Sequence, residues 1–364
     1  MIVLSPSETI RKKFQLSNED GLQIARVRTG KIKGAGLLAR AWEEVRLSRS
    51  LWRGAEKFLK ENRCDLIVFY SPSIFFGALV ARLKALWKSP AYLILRDIFP
   101  QWAVDAGVMR KGLPYHYFRR RELQQYEAAD FIGVQTPGNL RYFSEQLVSK
   151  HYPLEVLLNW TPVEEAIRLD KNYRKQLGLE GKVVFFFGGN IGVAQDMDNV
   201  LRLAENLRED PAAYFLLVGE GSEVGRLKSL IGEKRLRNIQ ILPAVGQQEY
   251  LAMLGEFDVG LISLDKRLTT QNVPGKLMGY MQFSKPVLAS LNPGNDLKQI
   301  LDEANAGFCV LNGDDEGLLS AAKRLLESAD LRAQMGKNSH ILLKNRFNVT
   351  KAAEKILLHL NTLG

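Results

Sequence analysis

FFFGGNIGVAQDMDNVLRLAENL, residues 185–207, decides the fold. A hydrophobic run enters Gly188, Gly189, Asn190, Ile191 and Gly192, and an amphipathic stretch starts near Asp196. Strand, Gly-rich turn and helix in succession form the repeating unit of parallel sheets with crossover helices. Glycines let a backbone turn tightly and approach a ligand, and the N–H groups that open the following helix attract phosphate. The turn therefore suits a diphosphate cradle, although a purely steric need for small residues would produce the same pattern. It is neither a Walker A loop nor a clean G-x-G-x-x-G after a first strand.

The same alternation runs outward in both directions. Downstream, strand-like runs occupy 213–221, 239–245, 258–264, 285–290 and 307–311; upstream they occupy 64–70, 91–97, 131–136 and 154–159. Helical stretches separate them, including 75–87 and 115–129, and the tail 320–363 reads as two helices. Between the two series lies NWTPVEEAIRLDKNYRKQLGL, a charged, Pro-containing connector with no strand of its own. The expected class is α/β: a domain over 1–160, a second over 175–347, and a terminal helix over 348–364 that is placed to return to the first. The first domain opens on one edge-like strand, IVLSPS, and a polar segment. A complete doubly wound domain offers a further strand and helix there, so a unit of roughly thirty residues is expected to be absent.

Composition narrows the function. Hydrophobic residues make up 46% and charged residues 25% of 364, which suits an ordinary globular protein. Cys64 and Cys309 lie far apart in apolar runs, as in a reducing compartment. The start MIVLSPSETIRKK lacks the apolar h-region of a signal peptide, and no apolar run reaches the roughly twenty residues of a membrane span. The net charge of +10 is concentrated in the first half and favours an anionic partner: phospholipid, lipid diphosphate, nucleotide phosphate or nucleic acid. Scattered solvated lysines would give the same total. No nucleic-acid motif accompanies the charge. His116, His151, His340 and His359 show no metal-ligand spacing, and GxSxG and HExxH are missing.

Three further turns carry candidate chemistry. In LLVGEGSEVGRLKSL, Gly219 and Gly221 end a strand, and Arg226 and Lys228 follow on a helix. Parallel sheets place ligands at such carboxyl ends, where Arg226 either reaches a phosphate or is a solvated helix charge. In NVPGKLMGYMQFSKPVLA, Pro274 and Gly275 suit the start of a helix. Lys276 in its first turn opposes the helix dipole, which an anion facing it would explain; a lysine reaching into water is the plain alternative. In LRDIFPQWAVD, Arg96 and Asp97 end a buried strand beside Phe99 and Trp102, as a cleft-lining pair or as a local ion pair. The segment YSPSIFFG shares that rim, with Tyr70, Ser71 and Ser73 able to hold an acceptor sugar.

Taken in order and spacing, LRDIFPQ, GGNIGVAQD, LVGEGSEVGRL, NVPGKLMGYMQFSKPVLA and PGNDL resemble the family-4 retaining glycosyltransferases of the GT-B fold. Within them the subgroup of bacterial O-antigen and capsule synthesis, typified by the L-fucosamine transferase WbuB, is the nearest in pattern. The resemblance implies two Rossmann-like domains facing across a cleft, acceptor on the first and nucleotide-sugar mainly on the second. It makes Gly189, Asn190 and Gly192 the loop over the donor diphosphate. Arg226 and Lys276 become the basic pair that neutralises the leaving nucleoside diphosphate in place of a metal. Ala244 and Val245 fall against the base, and Gly219, Gly221, Gln271, Pro274, Gly275 and Leu277 complete the donor side. Asp97 is the first-domain catalytic residue, with Arg96, Tyr70, Ser71 and Ser73 on the acceptor side. Gln271 and Gly279 stand where the family carries two glutamates, and Arg96–Asp97 where many relatives carry His–Asp.

The implied activity is transfer from a UDP-sugar to a lipid-diphosphate-linked acceptor at the cytoplasmic face of a membrane. It needs no metal, no cofactor beyond the donor and no nucleic acid, and brings peripheral contact with anionic lipid. Two other functions are weighed against it. A UDP-N-acetylglucosamine-type epimerase of the same layout needs acids and a histidine in the cleft, and no such set is evident. A non-catalytic, membrane-associated partner of a polysaccharide complex would account for the replaced glutamates.

Overall fold

The structure, a computed structural model, describes residues 1–30, 37–71, 73–148, 150–163 and 172–360, with side chains in the helix that begins at Leu37 taken from Trp42 onward. Strand β1 (Ile2–Ser7) is followed by β2 (Phe14–Glu19) and β3 (Leu22–Arg28). The polar segment after the first strand is thus a hairpin. Asp20 and Gly21 both take positive φ, 48° and 78°, which is the two-residue turn whose twist matches paired strands. β3 also pairs parallel with β1, so these strands form a separate sheet in the order β1-β3-β2.

The rest of the first domain runs α1 (Leu37–Glu61), β4 (Ile67–Tyr70), α2 (Gly77–Trp87), β5 (Ala91–Leu95), α3 (Gln101–Asp105) and α4 (Leu113–Ala128). It continues with β6 (Phe131–Val134), α5 (Pro137–Gln146) and β7 (Leu154–Val156). Strands β4-β5-β6-β7 form a parallel sheet. Successive side chains on a strand face opposite ways, and β5 is buried on both faces. Ala91, Leu93 and Leu95 join the core with residues of α1 and α2.

The second domain begins with α6 (Tyr173–Gln176), β8 (Val183–Gly188), α7 (Met197–Asn206), β9 (Ala213–Val218), α8 (Val224–Glu233), β10 (Ile239–Leu242) and α9 (Gln247–Glu256). It continues through β11 (Val259–Ser263), α10 (Lys276–Gln282), β12 (Val287–Leu291), α11 (Asp296–Ala304), β13 (Gly307–Leu311), α12 (Asp315–Glu327) and α13 (Ala329–Arg346). All six strands are parallel, in the order β10-β9-β8-β11-β12-β13. β8 is its axis. Phe185 and Phe187 enter one core and Phe186 the other, which is why this strand reads as an unbroken apolar run.

The tail holds three helices rather than two. Ser328 interrupts the helical pattern by accepting a hydrogen bond from the Leu331 N–H, which starts α13 afresh. Asn348 does the same for α14 (Val349–Leu358) through Thr350. Helix α14 lies on the first domain's sheet, where Ala352 and Ile356 cover Tyr92 and Ile94. His359 stacks on Phe131 at 3.8 Å between ring centroids and lies 2.9 Å from Glu155.

Candidate functional site

Chain order reverses between β8 and β11, so the carboxyl ends of the neighbouring strands open a crevice, the usual ligand position in an open parallel sheet. A cavity of about 600 Å³ lies there. Its walls come from the ends of β8 and β9, the loop after β10, α9 and the start of α10.

Glycine is required where these turns meet. A β-carbon on Gly219 would stand 1.8 Å from the carbonyl oxygen of Gly189, and the Gly189 N–H donates to Val218 O at 2.9 Å. Gly189 itself has φ of +128°, a region strained for any L side chain. A β-carbon on Gly188 would come within 2.2 Å of the Tyr250 ring, which forms the cavity's back wall. These approaches decide the steric question left open by the sequence. The glycines make two turns fit, and the space they leave is the cavity.

Lys276 supplies the cavity's cation. Its ammonium sits 3.2 Å from the Phe187 ring centroid, a cation–π contact, and beside Gly189. Among the described residues it has no acidic partner. The residue as a whole keeps partial exposure, but the ammonium is crowded by protein, and burial pushes its pKa well below the usual lysine value.

Of the residues expected on the donor side, Gly189, Asn190, Gly219, Ala244, Val245, Gly275 and Lys276 line the cavity. Gly192 lies just behind, where its N–H and the Asn190 side chain both donate to Gln195 Oε1 at 3.1 and 3.0 Å. Gly221 is packed against the backbone of Ile191, Pro274 precedes the lining residues, and Leu277 is fully buried core. Glu220, Gln247 and Tyr250 line the cavity without having been anticipated, since GQQEY reads only as an amphipathic helix start.

Two expectations on the donor side need correction. Arg226 does not join Lys276. Its guanidinium, on exposed α8, is held by Glu223 at 2.7 Å and Asp198 at 2.9 Å, and it is not part of the lining. Half-exposed pairs of this kind contribute on the order of 1 kcal/mol or less. Arg226→Gln should therefore leave nucleotide affinity within about twofold and stability within about 1 kcal/mol; a larger loss of affinity in a calorimetric titration would return it to the site. Gln271 is likewise turned to the domain interface. Its N–H donates to Asn139 Oδ1 at 3.1 Å, and its side chain crowds Gly138.

In the first domain, Tyr70 is half-exposed at the end of β4. Ser71 is buried, donating to Asp97 O at 3.3 Å, and the Ser73 hydroxyl accepts from the Phe75 N–H. Arg96 is not free for an acceptor. It is 7% exposed, donates to Leu157 O at 2.7 Å and Leu158 O at 3.2 Å, and lies over Trp160. Burial lowers its pKa to about 10. The Asp97 carboxyl has no hydrogen-bond partner among the described residues, and burial raises its pKa against the opposing pull of Arg96.

The first domain also grips the segment leading into Lys276. Asp105 accepts from the Thr269 N–H and hydroxyl at 2.9 and 2.6 Å. Gln135 Oε1 accepts from the Val273 N–H at 3.0 Å, and Asn159 donates to Val273 O at 2.7 Å. The Gly138 N–H donates to Asp296 at 2.6 Å. Single polar groups on separate elements give no periodic signal, which is why sequence reasoning missed this bridge.

Comparison with known proteins bears on this geometry. Residues 170–341 match the family described as "Glycosyl transferases group 1". The chain is 26% identical over 257 residues to the probable glycosyltransferase WbjE of Pseudomonas aeruginosa, covering 70% of this chain and 64% of that protein. It is 26% identical over 275 residues to the putative colanic acid biosynthesis glycosyl transferase WcaI of Escherichia coli, covering 72% and 66%. The chain thus spans less than two thirds of the length of these relatives. An α,α-trehalose-phosphate synthase (UDP-forming) from Burkholderia xenovorans superposes with a TM-score of 0.75 at 15% identity, covering 98% of this chain and 90% of that one. Anabaena HepE, solved with UDP, superposes at 0.69 with 14% identity, covering 93% and 86%. At these identities the likeness is one of fold, and the fold is GT-B: α/β, with parallel sheets in two Rossmann-like domains.

Proposed function

Residues 170–341 match the family of glycosyl transferases group 1, and from that likeness we propose that the chain moves a sugar, with retention, from a UDP-linked donor to a lipid-diphosphate-linked acceptor in bacterial surface-polysaccharide assembly. The observation that carries this is the unpaired ammonium of Lys276 inside a glycine-walled cavity at the carboxyl ends of parallel strands. A diphosphate supplies the missing negative charge, and the ammonium then stabilises the charge that grows on it as the glycosidic bond breaks. No pair of carboxylates at a double-displacement spacing flanks the cavity among the described residues, which favours departure and attack on one face of the sugar. The Asp97 carboxyl, unpaired in the first domain, is the group proposed to hold the acceptor hydroxyl.

The donor class is supported by HepE, solved with UDP and with UDP-glucose, and by the UDP-forming synthase. The pathway class is supported by WcaI, and a WbuB-like subgroup is its finer form. No described helix is long and apolar enough to cross a membrane; the proposed place of work is the membrane's inner face, through peripheral contact.

UDP, GDP and ADP compared at equal concentration in thermal unfolding test the donor. UDP at about one hundred times its Kd should stabilise the protein by about 2.7 kcal/mol, with GDP and ADP well below it. Equal shifts from all three would remove the uridine preference, and no shift would remove the donor site.

A further inference from the structure

The segment 268–273, between β11 and Lys276, joins no sheet, yet its backbone is held on both sides. On one side the N–H groups of Thr269, Gln271 and Val273 donate to Asp105, Asn139 and Gln135 at 2.9, 3.1 and 3.0 Å. All three acceptors belong to the first domain. On the other side the carbonyls of Leu268 and Thr270 accept from Asn292 at 2.9 and 3.4 Å, and that of Asn272 from Asn295 at 3.3 Å. Both of these amides belong to the second domain. Alternate N–H groups pointing one way and the intervening carbonyls the other is the pattern of an extended strand. Side chains from two domains thus supply the ladder that neighbouring strands supply in a sheet, and the segment is a strap strung between them.

The last rung is a closed ring. The Val273 N–H donates to Gln135, Gln135 Nε2 donates to Asn159 Oδ1 at 3.3 Å, and Asn159 Nδ2 donates to Val273 O at 2.7 Å. A primary amide carries both a donor and an acceptor, so two amides and one peptide residue close the ring with each of these groups satisfied. The Val273 side chain is fully buried in the core that also holds Leu277 and Met278. Both domains therefore fix Val273, and only Pro274 and Gly275 separate it from Lys276. The Pro274 carbonyl accepts from the Leu277 N–H at 3.0 Å, in the first turn of α10. An ammonium without an acidic partner gains by swinging into water. Its place over Phe187 depends on the backbone that carries it being held.

We propose that Gln135 and Asn159 are positioning residues for the donor site: by holding Val273 they set where α10 begins and keep the Lys276 ammonium over Phe187. The first domain then completes a cavity whose lining residues all come from the second. As a placement of Lys276 the proposal stands on the ladder; only its effect on UDP rests on the glycosyltransferase reading.

The test uses the full chain with Gln135→Met and, separately, Asn159→Ala, with circular dichroism melts to verify folding. Asn159 is only partly buried, so its variant keeps the test open where Gln135→Met does not fold. Asp296→Ala is the control, since it removes an interdomain bond, that from the Gly138 N–H, without touching the strap. Carbon-13 NMR of protein labelled at the lysine Cε reads the titration of Lys276 without ligand, and Lys276→Met assigns its resonance. In the wild type and the control, Lys276 should titrate below the ordinary lysine value; in each ring variant it should move back towards that value. UDP affinity, read by calorimetry, should fall about tenfold in each ring variant, the equivalent of one charge-assisted contact, and stay within about twofold in the control. Folded ring variants that keep the wild-type Lys276 titration would reduce the ring to a structural tie and overturn the proposal. An equal change in Asp296→Ala would overturn it too. A wild type that binds no UDP would remove the donor reading, while the lysine resonance still decides the placement.

Discussion

Lys276→Met is expected to abolish sugar transfer while raising the melting temperature of the ligand-free protein. The ammonium has no acidic partner, and the Phe187 face compensates its lost hydration only in part. A methionine of similar volume removes a dehydrated charge, a change that should gain about 1 kcal/mol, or a few degrees for a domain of this size. The gain has a definite pH dependence. A lysine whose folded pKa is depressed binds fewer protons folded than unfolded, so the wild type loses stability as pH falls below the ordinary lysine value near 10.5. The advantage of the methionine variant should thus vanish above about that pH and grow below it. Catalysis moves the other way, because losing one preorganised charge at a leaving group costs on the order of a hundredfold to a thousandfold in turnover. A variant that is both less stable and fully active would remove Lys276 from the donor site.

Gly219→Ala is expected to damage fold and site together. The added methyl would stand 1.8 Å from the Gly189 carbonyl oxygen, and that atom is backbone, unable to swing aside as a side-chain tip would. Forced displacement in a packed region costs about 1–3 kcal/mol, and here the displaced atoms form the cavity wall. UDP-dependent stabilisation should disappear even where the protein remains folded. Gly225→Ala, in exposed α8 with nothing within 4 Å of the new methyl, is the control and should be neutral or stabilising. Wild-type nucleotide binding by Gly219→Ala would show that the two turns do not shape the site.

Which features could be read in advance follows from how local they are. The six parallel strands of the second domain are short apolar runs, and their length and the turn residues that end them mark them as strands rather than buried helices. The cavity glycines and Lys276 were legible because each breaks a local rule: glycine where a strand should continue, a cation where the helix dipole disfavours it. The hairpin over 14–28 was passed over because β2 carries only Phe14 and Leu16 as apolar residues among Gln15, Ser17, Asn18 and Glu19, although Asp20-Gly21 is itself a strong two-residue turn signal. Arg226 misled for the opposite reason. Its position resembled a family cation, but its charge is satisfied by Asp198 and Glu223, 28 and 3 residues away in sequence. Arg96 misled similarly, since its partners are the carbonyls of Leu157 and Leu158, some sixty positions on. A charge's role depends on what lies opposite it in space, and one sequence does not reveal that.

The central claim is that the second-domain cavity binds UDP through Lys276, and isothermal titration of UDP into the wild type and Lys276→Met, each in two buffers of different ionisation enthalpy, tests it directly. The account predicts one site on the wild type, with proton uptake on binding because the diphosphate raises the depressed pKa of the lysine, and affinity that weakens as pH rises. It predicts that both the binding and the buffer dependence disappear in the variant. Equal affinity in the two proteins, or no UDP binding by the folded wild type, would contradict it.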